Sequence, residues 1–503
     1  MDVKAIAGAI QESDADAIIV NLFEGLQEPG GATKAVDEAL GGAIRELVEG
    51  GDFTGKAGQV AVLYPRGVIP ARRVILVGLG AQEDFDVEAV RRAAAHAIKK
   101  ACELKAGRVA TILHGTGAGG LSVEESAQAV AEGSLLAVYR YQGQKQPKDE
   151  AAAFTPETLE LMIFDEQDVP AAQRGADVAQ AIAAGVAVTR DLVNQPPNIC
   201  TPTHMAGVAS EIGDAVGLRV QVLEKGQMQA LGMGALLAVA QGSDTPPRFI
   251  IMEHNADRAE ELPSVVLVGK GVTFDTGGYN LKPTKGMETM KGDMAGAAAV
   301  IGAMRAIAAL DVPLHVVGLA PASDNMISGH AYRPQEVVTA SNGVTIEISN
   351  TDAEGRMLLA DALVFAGRFK PVAVVDIATL TGACLTALGG VAAGVFSTDD
   401  ALRDTLLAAA EATAEKLWPL PLFPEYERTL ESQAADIVNS GGQYSGVGSS
   451  ATFLKHFVDY PWAHIDMAGL EFDAKDNPYM PAKGATGYGV RLLVEFVRRW
   501  AAR

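Results

Sequence analysis

The sequence contains 503 residues, of which 48% are hydrophobic and 20% charged, so it is globular in composition and long enough for two domains. Its net charge of −21 argues against nucleic-acid binding as the main role of its surface. Three widely spaced cysteines, without a C-x-x-C pair, indicate neither a disulfide framework nor a thiolate zinc site.

No segment of the sequence predicts a signal peptide or a membrane anchor. Residues 1–25 lack a basic stretch followed by an apolar one. Residues 377–398 are uncharged, but their four glycines and five serines or threonines are more typical of a buried strand and turn than of a lipid-facing helix. We therefore expect a cytoplasmic protein that does not contact membranes.

The first third of the sequence alternates short apolar runs with segments of helical spacing, which predicts an α/β domain. The predicted strands are 17–20, 59–63, 74–77, 109–113 and 159–163, and the predicted helices are 87–104 and 123–139. Gly78 and Gly80 are spaced as in a dinucleotide-binding turn. However, Glu83 stands where the third glycine is required, and with Asp84 it would repel a pyrophosphate, so no such site is predicted.

A polar stretch at 141–157 predicts an exposed connection near the end of this domain. After one more strand, a helical pattern runs from Ala171 to about Val193 and stops at the helix breaker Asn194–Asn198. We predict an N-terminal domain of residues 1–170, a connecting helix of residues 171–192 and a larger C-terminal domain of residues 193–503.

The C-terminal domain is predicted to be α/β as well, with a mostly parallel sheet sandwiched by helices. Its predicted strands are 264–269, 315–319, 344–348, 372–377 and 464–467. The run Asn350–Arg356 follows the third of them. If the backbone stays extended there, Asp352, Glu354 and Arg356 point to one side. For an isolated pair of acids, a solvated turn is the simpler interpretation.

Other polar residues also follow predicted strands, where open α/β sheets bind ligands. These segments are Gly269–Gly278, Leu281–Pro283, Met290–Gly296, which opens an alanine-rich helix, and Asp376–Gly382. Carboxylates and lysines set among glycines and small apolar residues are costly to desolvate. A shared cation is the simplest explanation for all of them.

These segments, with Pro196–Pro202 and Pro461–Gly469, resemble the M17 leucyl aminopeptidase family across about residues 185–495. The resemblance implies two divalent metal ions bound by Lys270, Asp275, Asp293, Asp352 and Glu354. It implies catalytic roles for Lys282 and Arg356, with a bicarbonate at Arg356 as general base. It also implies a side-chain pocket formed by Met290, Thr379 and Ala468, and a homohexamer whose sites face an inner cavity. The N-terminal domain resembles the family only in size and pattern, so its role in assembly or regulation stays open.

The chemistry of these residues agrees with that function. Four carboxylates and an amine suit Mn²⁺, Zn²⁺ or Mg²⁺, and two such ions about 3.5–4 Å apart can share a water and lower its pKa towards 7. As an ammonium, Lys282 would stabilise an oxyanion, whereas the Arg356 guanidinium is suited to holding an anion. The predicted activity is release of N-terminal residues, preferably apolar ones such as leucine, from peptides with a free N-terminus.

Two alternatives remain at this point. A phosphoesterase uses similar two-metal chemistry, although Lys270 as a ligand argues against it. A non-catalytic architectural or nucleic-acid-binding assembly is the other, although the complete ligand set and the negative charge argue against it. Tyr279 and Asn280 depart from the family pattern beside Lys282, which affects loop shape and substrate preference. His464 and Cys384 are expected to be core residues.

Overall fold

The computed structural model describes residues 1–117, 119–144, 154–442, 444 and 446–503. Residues 145–153 of the predicted exposed connection lie outside the described residues. The chain divides into two compact units, of which the first is Met1–Ala183 with Ala474–Ala482 and the second is Ala184–Asp473 with Lys483–Arg503. No feature of the sequence pattern assigns the short segment Ala474–Ala482 to the first unit.

The first unit is built on a six-stranded sheet. Its strands are β1 (Asp2–Ala7), β2 (Ala17–Leu22), β3 (Val60–Leu63), β4 (Val74–Gly78), β5 (Arg108–Ile112) and β6 (Thr158–Ile163). Its helices are α1 (Gly31–Ala39), α2 (Ala43–Glu49), α3 (Val87–Glu103), α4 (Val123–Val138) and α5 (Val169–Asn194), the last of which continues into the second unit. The strand order is β1-β6-β5-β2-β4-β3, and only the edge strand β3 is antiparallel to its neighbour.

Local sequence explains where the two long helices of this sheet begin. The Asp86 side chain caps the first turn of α3, and Ser122 forms a capping box with Glu125 at the start of α4. The two helices then pack closely, since a Cβ on Gly133 would lie 2.1 Å from the Arg91 carbonyl oxygen. The predicted strands and helices of this unit are confirmed to within two residues, whereas β1, α1 and α2 were missed.

The second unit contains a nine-stranded sheet and a separate three-stranded sheet. Its strands are β7 (Arg219–Leu223), β8 (Arg248–His254), β9 (Ser264–Gly269), β10 (Gly271–Asp275), β11 (His315–Asn325), β12 (Val337–Thr339), β13 (Thr345–Glu347), β14 (Ala373–Ala378), β15 (Ala393–Ser397), β16 (Leu417–Pro419), β17 (Ile437–Val438) and β18 (Trp462–Asp466). Its helices are α6 (Pro202–Val216), α7 (Lys225–Ala230), α8 (Gly234–Ala240), α9 (Thr284–Met287), α10 (Ala295–Ala309), α11 (Gly355–Ala366), α12 (Gly382–Leu388), α13 (Asp400–Thr413), α14 (Gly446–Lys455) and α15 (Val490–Ala501).

The large sheet has a parallel centre, and helices cover both of its faces. β18, β14, β9 and β11 are parallel neighbours, while β15, β8 and β7 add antiparallel pairs towards the edges. Val317 and Leu319 of β11 belong to the same core as α11, whereas a Cβ on Gly318 between them would touch Val300 and Met304 of α10. The predicted fold, a mostly parallel sheet sandwiched by helices, is therefore confirmed.

One predicted strand belongs elsewhere. The run 344–348 forms β13, which pairs with β12 and β17 in the small sheet and not with the large one. Its alternating apolar residues would look the same in either sheet, because the pattern reports only that one face is buried.

Two apolar segments bear on the prediction that the chain has no membrane anchor. The uncharged segment 377–398 contains the end of β14, α12 and β15, so the predicted buried strand is confirmed, but residues 382–388 form a helix where a glycine-rich turn was predicted. Thr284–Ala309 is the single described helical stretch that is long and apolar enough to cross a membrane. Of the 18-residue apolar part of this stretch, 83% is buried inside the structure. Such burial is also found in core helices.

Candidate metal centre

Strand ends at one edge of the large sheet bring several predicted site residues together. β9 and β14 are parallel neighbours; Lys270 directly follows β9 and Thr379 directly follows β14. The Lys270 Nζ atom donates a hydrogen bond to the Thr379 carbonyl oxygen at 3.0 Å. Asp275 ends β10, which pairs in parallel with β11. Because parallel strands present their carboxyl ends at the same edge, residues far apart in sequence meet there.

Lys270 is buried between two predicted metal ligands. Its Nζ atom lies 2.7 Å from Asp293 Oδ1 and 2.9 Å from Glu354 Oε1. Burial by itself would lower the pKa of Lys270, but the carboxylates of Asp293, Glu354 and Asp275 outweigh burial and raise it. The lysine also requires a glycine beside it, since a Cβ on Gly355 would lie 2.4 Å from Lys270 Cε.

The segment Asn350–Arg356 is a turn and not an extended strand end. Asn350 Oδ1 accepts a hydrogen bond from Asp352 N at 2.9 Å, and α11 begins directly after Glu354. The prediction that Asp352, Glu354 and Arg356 alternate along one strand face is therefore wrong. The two acids reach the site because the backbone turns between them, and Arg356 lies in the first turn of α11.

Lys282 joins the remaining two predicted ligands. Its Nζ atom lies 2.8 Å from Asp275 Oδ2 and 2.6 Å from Asp352 Oδ1. Asp275 Oδ1 accepts hydrogen bonds from Gly277 N and Asn325 Nδ2, both at 2.8 Å. Burial opposes the charge of Lys282, but the surrounding carboxylates raise its pKa, so the side chain is an ammonium.

The carboxylates fit a divalent cation. Asp275, Asp293 and Glu354 each offer an oxygen within 4.8 Å of the others. Asp293 Oδ2 and Glu354 Oε2 are buried and accept no hydrogen bond from any residue that the structure describes. Burial raises the pKa of Asp275 to about 7 and that of Asp293 well above its usual range. Burial makes the negative charges of this cluster costly, and two of its hard oxygen atoms have unused lone pairs. Both properties suit a divalent metal ion.

Arg356 is buried, and part of its guanidinium is unused. Nη1 donates a hydrogen bond to the Asn439 carbonyl oxygen at 2.7 Å, while Nε has no partner among the described residues. Burial lowers the pKa of Arg356 to about 10, so the guanidinium is charged at neutral pH. A buried cation with a spare donor fits an anion, and the bicarbonate implied by the resemblance stays a prediction.

The three residues predicted to line the side-chain pocket lie on different segments. Thr379 is buried, and its Oγ1 donates a hydrogen bond to Asp293 Oδ1 at 2.8 Å. Met290 is half-buried in the turn before Asp293, and Ala468 is half-buried just after β18. Asp466 Oδ1 accepts hydrogen bonds from Leu380 N at 3.1 Å and from Ala468 N at 3.3 Å, and so links the loops that carry Thr379 and Ala468. Contact of these residues with a substrate side chain stays a prediction.

Three polar residues that brace the turn around Thr351 complete one side of the site. Asn325 Nδ2 and the Tyr332 hydroxyl donate to the Thr351 carbonyl oxygen at 3.0 and 2.8 Å. Asn280 accepts from Thr351 N at 2.9 Å, which shows that this departure from the family pattern has a structural role. The sequence offered a signal for Asn325, a polar residue at the end of an apolar run, but none for Tyr332.

Asn439 holds the other side of the same turn. Its Oδ1 atom accepts hydrogen bonds from Ser349 N and Asn350 N at 2.9 and 3.2 Å, and its Nδ2 atom donates to Asn350 O at 2.7 Å. The side chain is fully buried. Sequence reasoning missed this residue because β17, the strand before it, is only two residues long.

His464 and Asp376 form a separate network inside the sheet. His464 Nδ1 lies 2.5 Å from Asp376 Oδ1, and Trp462 Nε1 donates to Asp376 Oδ2 at 2.6 Å. The prediction that His464 is a hydrogen-bonded core residue is confirmed, and Cys384 is buried as expected. Asp376, which the sequence grouped with the cation-sharing residues, is turned towards β18 instead.

Comparison with known proteins identifies the class of this chain as aminopeptidase, a hydrolase that removes residues from the N-terminus of peptides. Residues 187–494 match the catalytic domain of the cytosol aminopeptidase family, and residues 19–148 match its N-terminal domain. The chain belongs to this family, which is the M17 peptidase family that the motifs resemble.

Relatives and solved structures agree with the assignment. The chain is 44% identical to a probable cytosol aminopeptidase of Roseiflexus castenholzii, over 99% of both proteins. It is 43% identical to the cytosol aminopeptidase of Pseudomonas aeruginosa, over 93% of both. A mutant tomato leucine aminopeptidase matches with a TM-score of 0.87 and 35% identity, covering 99% of this chain and 96% of that one. The bottromycin maturation enzyme BotP in complex with Mn matches with a TM-score of 0.84 and 34% identity, covering 97% and 100%.

Proposed function

We propose that this protein is a leucyl-type aminopeptidase that uses two divalent metal ions per chain to hydrolyse the first peptide bond of substrates with a free N-terminus. The observation that carries the proposal is a pair of buried carboxylate oxygens, Asp293 Oδ2 and Glu354 Oε2, which lie beside a buried lysine and have no hydrogen-bond partner in the described part of the chain. Such atoms are expensive to bury without a cation.

The five proposed ligands divide into two groups that share the acidic cluster. Asp293 and Glu354 surround Lys270, while Asp275 and Asp352 surround Lys282. When bound, the cations would supply Lewis-acid activation of a water and of the scissile carbonyl. Manganese and zinc are the proposed metals, with magnesium as a further candidate, because carboxylates and an amine accept all three. The manganese complex named for BotP supports this choice.

Two cationic side chains would act on the substrate directly. The Lys282 ammonium, with its raised pKa, is positioned to donate hydrogen bonds to the oxyanion that forms when the carbonyl is attacked. Arg356, with its unused Nε, would hold a bicarbonate that accepts the proton of the attacking water. As a ligand, Lys270 would have to give up its proton, since only the neutral amine can bind metal.

Substrate choice and assembly follow from the same resemblance. Met290, Thr379 and Ala468 would form an apolar pocket for the first side chain, which favours leucine. From this resemblance we also propose a homohexamer and a cytoplasmic location. The location is supported by the relatives that are named cytosol aminopeptidases. We propose no membrane contact and no nucleic acid as a main partner.

Hydrolysis of leucine p-nitroanilide by metal-stripped protein, with and without added Mn²⁺, tests the proposal. We expect turnover only with metal, and none of N-acetyl-leucine p-nitroanilide, because the blocked amine cannot bind the cations. Folded protein that is inactive with every divalent metal would overturn the proposal.

Two parallel assays separate the alternatives. Hydrolysis of p-nitrophenyl phosphate in place of the leucine substrate would favour a phosphoesterase. A salt-dependent shift of DNA by catalytically inactive protein would favour a binding role. No specific observation in the structure supports either of them.

A further inference from the structure

The first unit contains a cavity of about 310 Å³ at the carboxyl ends of β2 and β4. These strands are parallel neighbours, and β5 lies on the opposite side of β2 from β4. The topological switch point of this sheet therefore lies between β2 and β5, and the cavity is beside it, on the β4 side of β2. Open α/β sheets bind ligands outside the carboxyl ends of their strands, which is where this cavity lies. The volume is at the lower end of the range of about 300–1,000 Å³ for small-molecule sites.

Glycines form the floor of this cavity, but their amides are already used. Gly78 N donates to Gln59 O, Leu79 N to Leu22 O and Gly80 N to Gly55 O, all at 2.9 Å, and Gly58 N donates to Gly78 O at 3.3 Å. A phosphate-binding loop works by directing free backbone amides at its ligand. This floor offers none at those positions, so side chains must recognise whatever binds here.

The polar side chains around the floor carry both signs of charge. Arg92 and His96 are four residues apart on α3 and so share one helix face, and Glu24 and Asp84 line the cavity with them. Glu24, Asp84 and His96 make no hydrogen bond or ion pair through their side chains with any described residue, and Arg92 donates to Asp476 O at 2.8 Å. Burial lowers the pKa of His96, which leaves Arg92 as the cation of the cavity.

The remaining wall of the cavity is apolar. Ala57, Ala89 and Ala93 line it with Leu79, which leaves room for a small aliphatic group. Gly58 has a φ of +77°, and a Cβ there would lie 2.8 Å from His96 Nε2, so glycine keeps the imidazole side open.

We propose that this cavity binds a free aliphatic amino acid as its zwitterion. Its carboxylate would pair with Arg92 and accept a hydrogen bond from the neutral imidazole of His96, its ammonium would pair with Glu24 and Asp84, and its side chain would contact the alanines. A nucleotide fits poorly, because the floor amides are used and two carboxylates repel phosphate. A free metal ion fits poorly beside Arg92. That the ligand is the product of the enzyme, such as leucine, rests on the proposed function, whereas binding itself does not.

Calorimetric titration of full-length protein with L-leucine tests the proposal. To silence the metal centre, we use Asp293→Asn, which removes one carboxylate of the acidic cluster. We expect this variant to retain one leucine site per chain. Adding Arg92→Leu should weaken that site at least tenfold, because a charge-assisted hydrogen bond to a carboxylate is lost. Adding Lys100→Leu, which removes a cation elsewhere on α3, should leave the affinity unchanged.

Half-ligands and a second variant make the outcome decisive. Leucinamide and N-acetyl-leucine, which lack one charge each, should bind at least tenfold more weakly than leucine. Glu24→Gln should weaken leucine but not N-acetyl-leucine. No leucine binding in the Asp293→Asn variant, or equal affinity after Arg92→Leu, would overturn the proposal. Because catalysis is measured separately on the unmodified protein, either result leaves the aminopeptidase test untouched.

Discussion

Lys270 and Lys282 each lie between two carboxylates of the proposed metal centre, so positive and negative charges alternate through a buried cluster. The arrangement matters because a buried charge that loses its partner costs several kcal/mol. Each lysine therefore neutralises acids in the folded chain and, by our proposal, also takes part in metal binding or catalysis. Substitutions can separate the contribution of these lysines to stability from their contribution to activity.

Lys282→Ala should lower kcat about 100- to 1,000-fold, since one preorganised donor to an oxyanion is removed. KM should change much less, because the ground-state carbonyl gains little from that donor. Lys285→Ala, which changes an exposed lysine on α9 in the same segment, is the matched control. Full kcat in the Lys282→Ala enzyme would contradict the oxyanion role.

Gly355→Ala should displace Lys270, because the new Cβ would lie 2.4 Å from Lys270 Cε. We expect metal content and activity to fall, and the free energy of unfolding to drop by about 1–3 kcal/mol from overpacking. Gly207→Ala on α6, where a Cβ meets nothing within 4 Å, should leave metal content and activity unchanged and raise the free energy of unfolding by about 0.5–1 kcal/mol. Metal analysis and urea unfolding of both variants make the comparison, and normal metal content after Gly355→Ala would contradict the expected displacement of Lys270.

The small three-stranded sheet supports the proposed metal centre although it contains none of the proposed ligands. β13 leads into the Asn350–Arg356 turn, and β17 leads into Asn439, which makes two hydrogen bonds with Asn350 of that turn and one with Ser349 just before it. The parallel sheet supplies Lys270 from one direction and the small sheet supplies Asp352 and Glu354 from another. The geometry of the centre thus depends on two sheets.

Asn439→Ala should reduce metal affinity about 10- to 100-fold, as loss of an outer hydrogen bond to a ligand-bearing segment does in other metal sites. The control is Asn342→Ala, which removes a side-chain hydrogen bond to Val344 N from an exposed turn of the same sheet. Titration of stripped protein with Mn²⁺ measures both. An unchanged affinity in the Asn439→Ala protein would mean that the turn holds its shape without this side chain.

His114 gives the first unit a pH dependence of its own. The residue follows β5, is fully buried and accepts a hydrogen bond at Nδ1 from Asn21, while burial lowers its pKa from 6.5 to about 4. The unfolded chain therefore binds a proton between pH 6.5 and 4 that the folded chain does not, and stability is lost as pH falls through that window. From pH 7 to 5 the loss is about 2 kcal/mol.

Urea unfolding at pH 7 and pH 5 measures this effect. His114→Gln, which keeps a hydrogen-bond acceptor but does not titrate, should lose less stability than the unmodified protein on acidification. His330→Gln, at an exposed histidine, should behave like the unmodified protein. Equal losses in all three proteins would assign the acid sensitivity to other groups.

The second unit displays large apolar side chains to solvent. Trp418, Phe423 and Tyr444 are 62%, 56% and 80% exposed. Exposed aromatic groups of this kind are costly in a monomer and common where proteins associate. They are consistent with the proposed homohexamer.

Light scattering on purified protein should give a mass of about six times 52.3 kDa. The mass should persist at high salt, because apolar contacts are not screened by ions. A stable monomer at micromolar concentration would contradict the proposed assembly.

Sequence patterns predicted the two α/β parts, about half of the described strands, the long helices α3, α4 and α5, and most of the residues that converge, because alternation, helical spacing and rare motifs are local properties of the chain. It could not determine that 344–348 joins a small sheet, that 350–356 turns, or that Asp376 pairs with His464. Those features depend on which distant segment lies alongside, and a pattern that reports burial does not name the partner. Asn439 and Tyr332 became visible only in the tertiary structure, since their roles are hydrogen bonds to residues about 90 and 19 positions away.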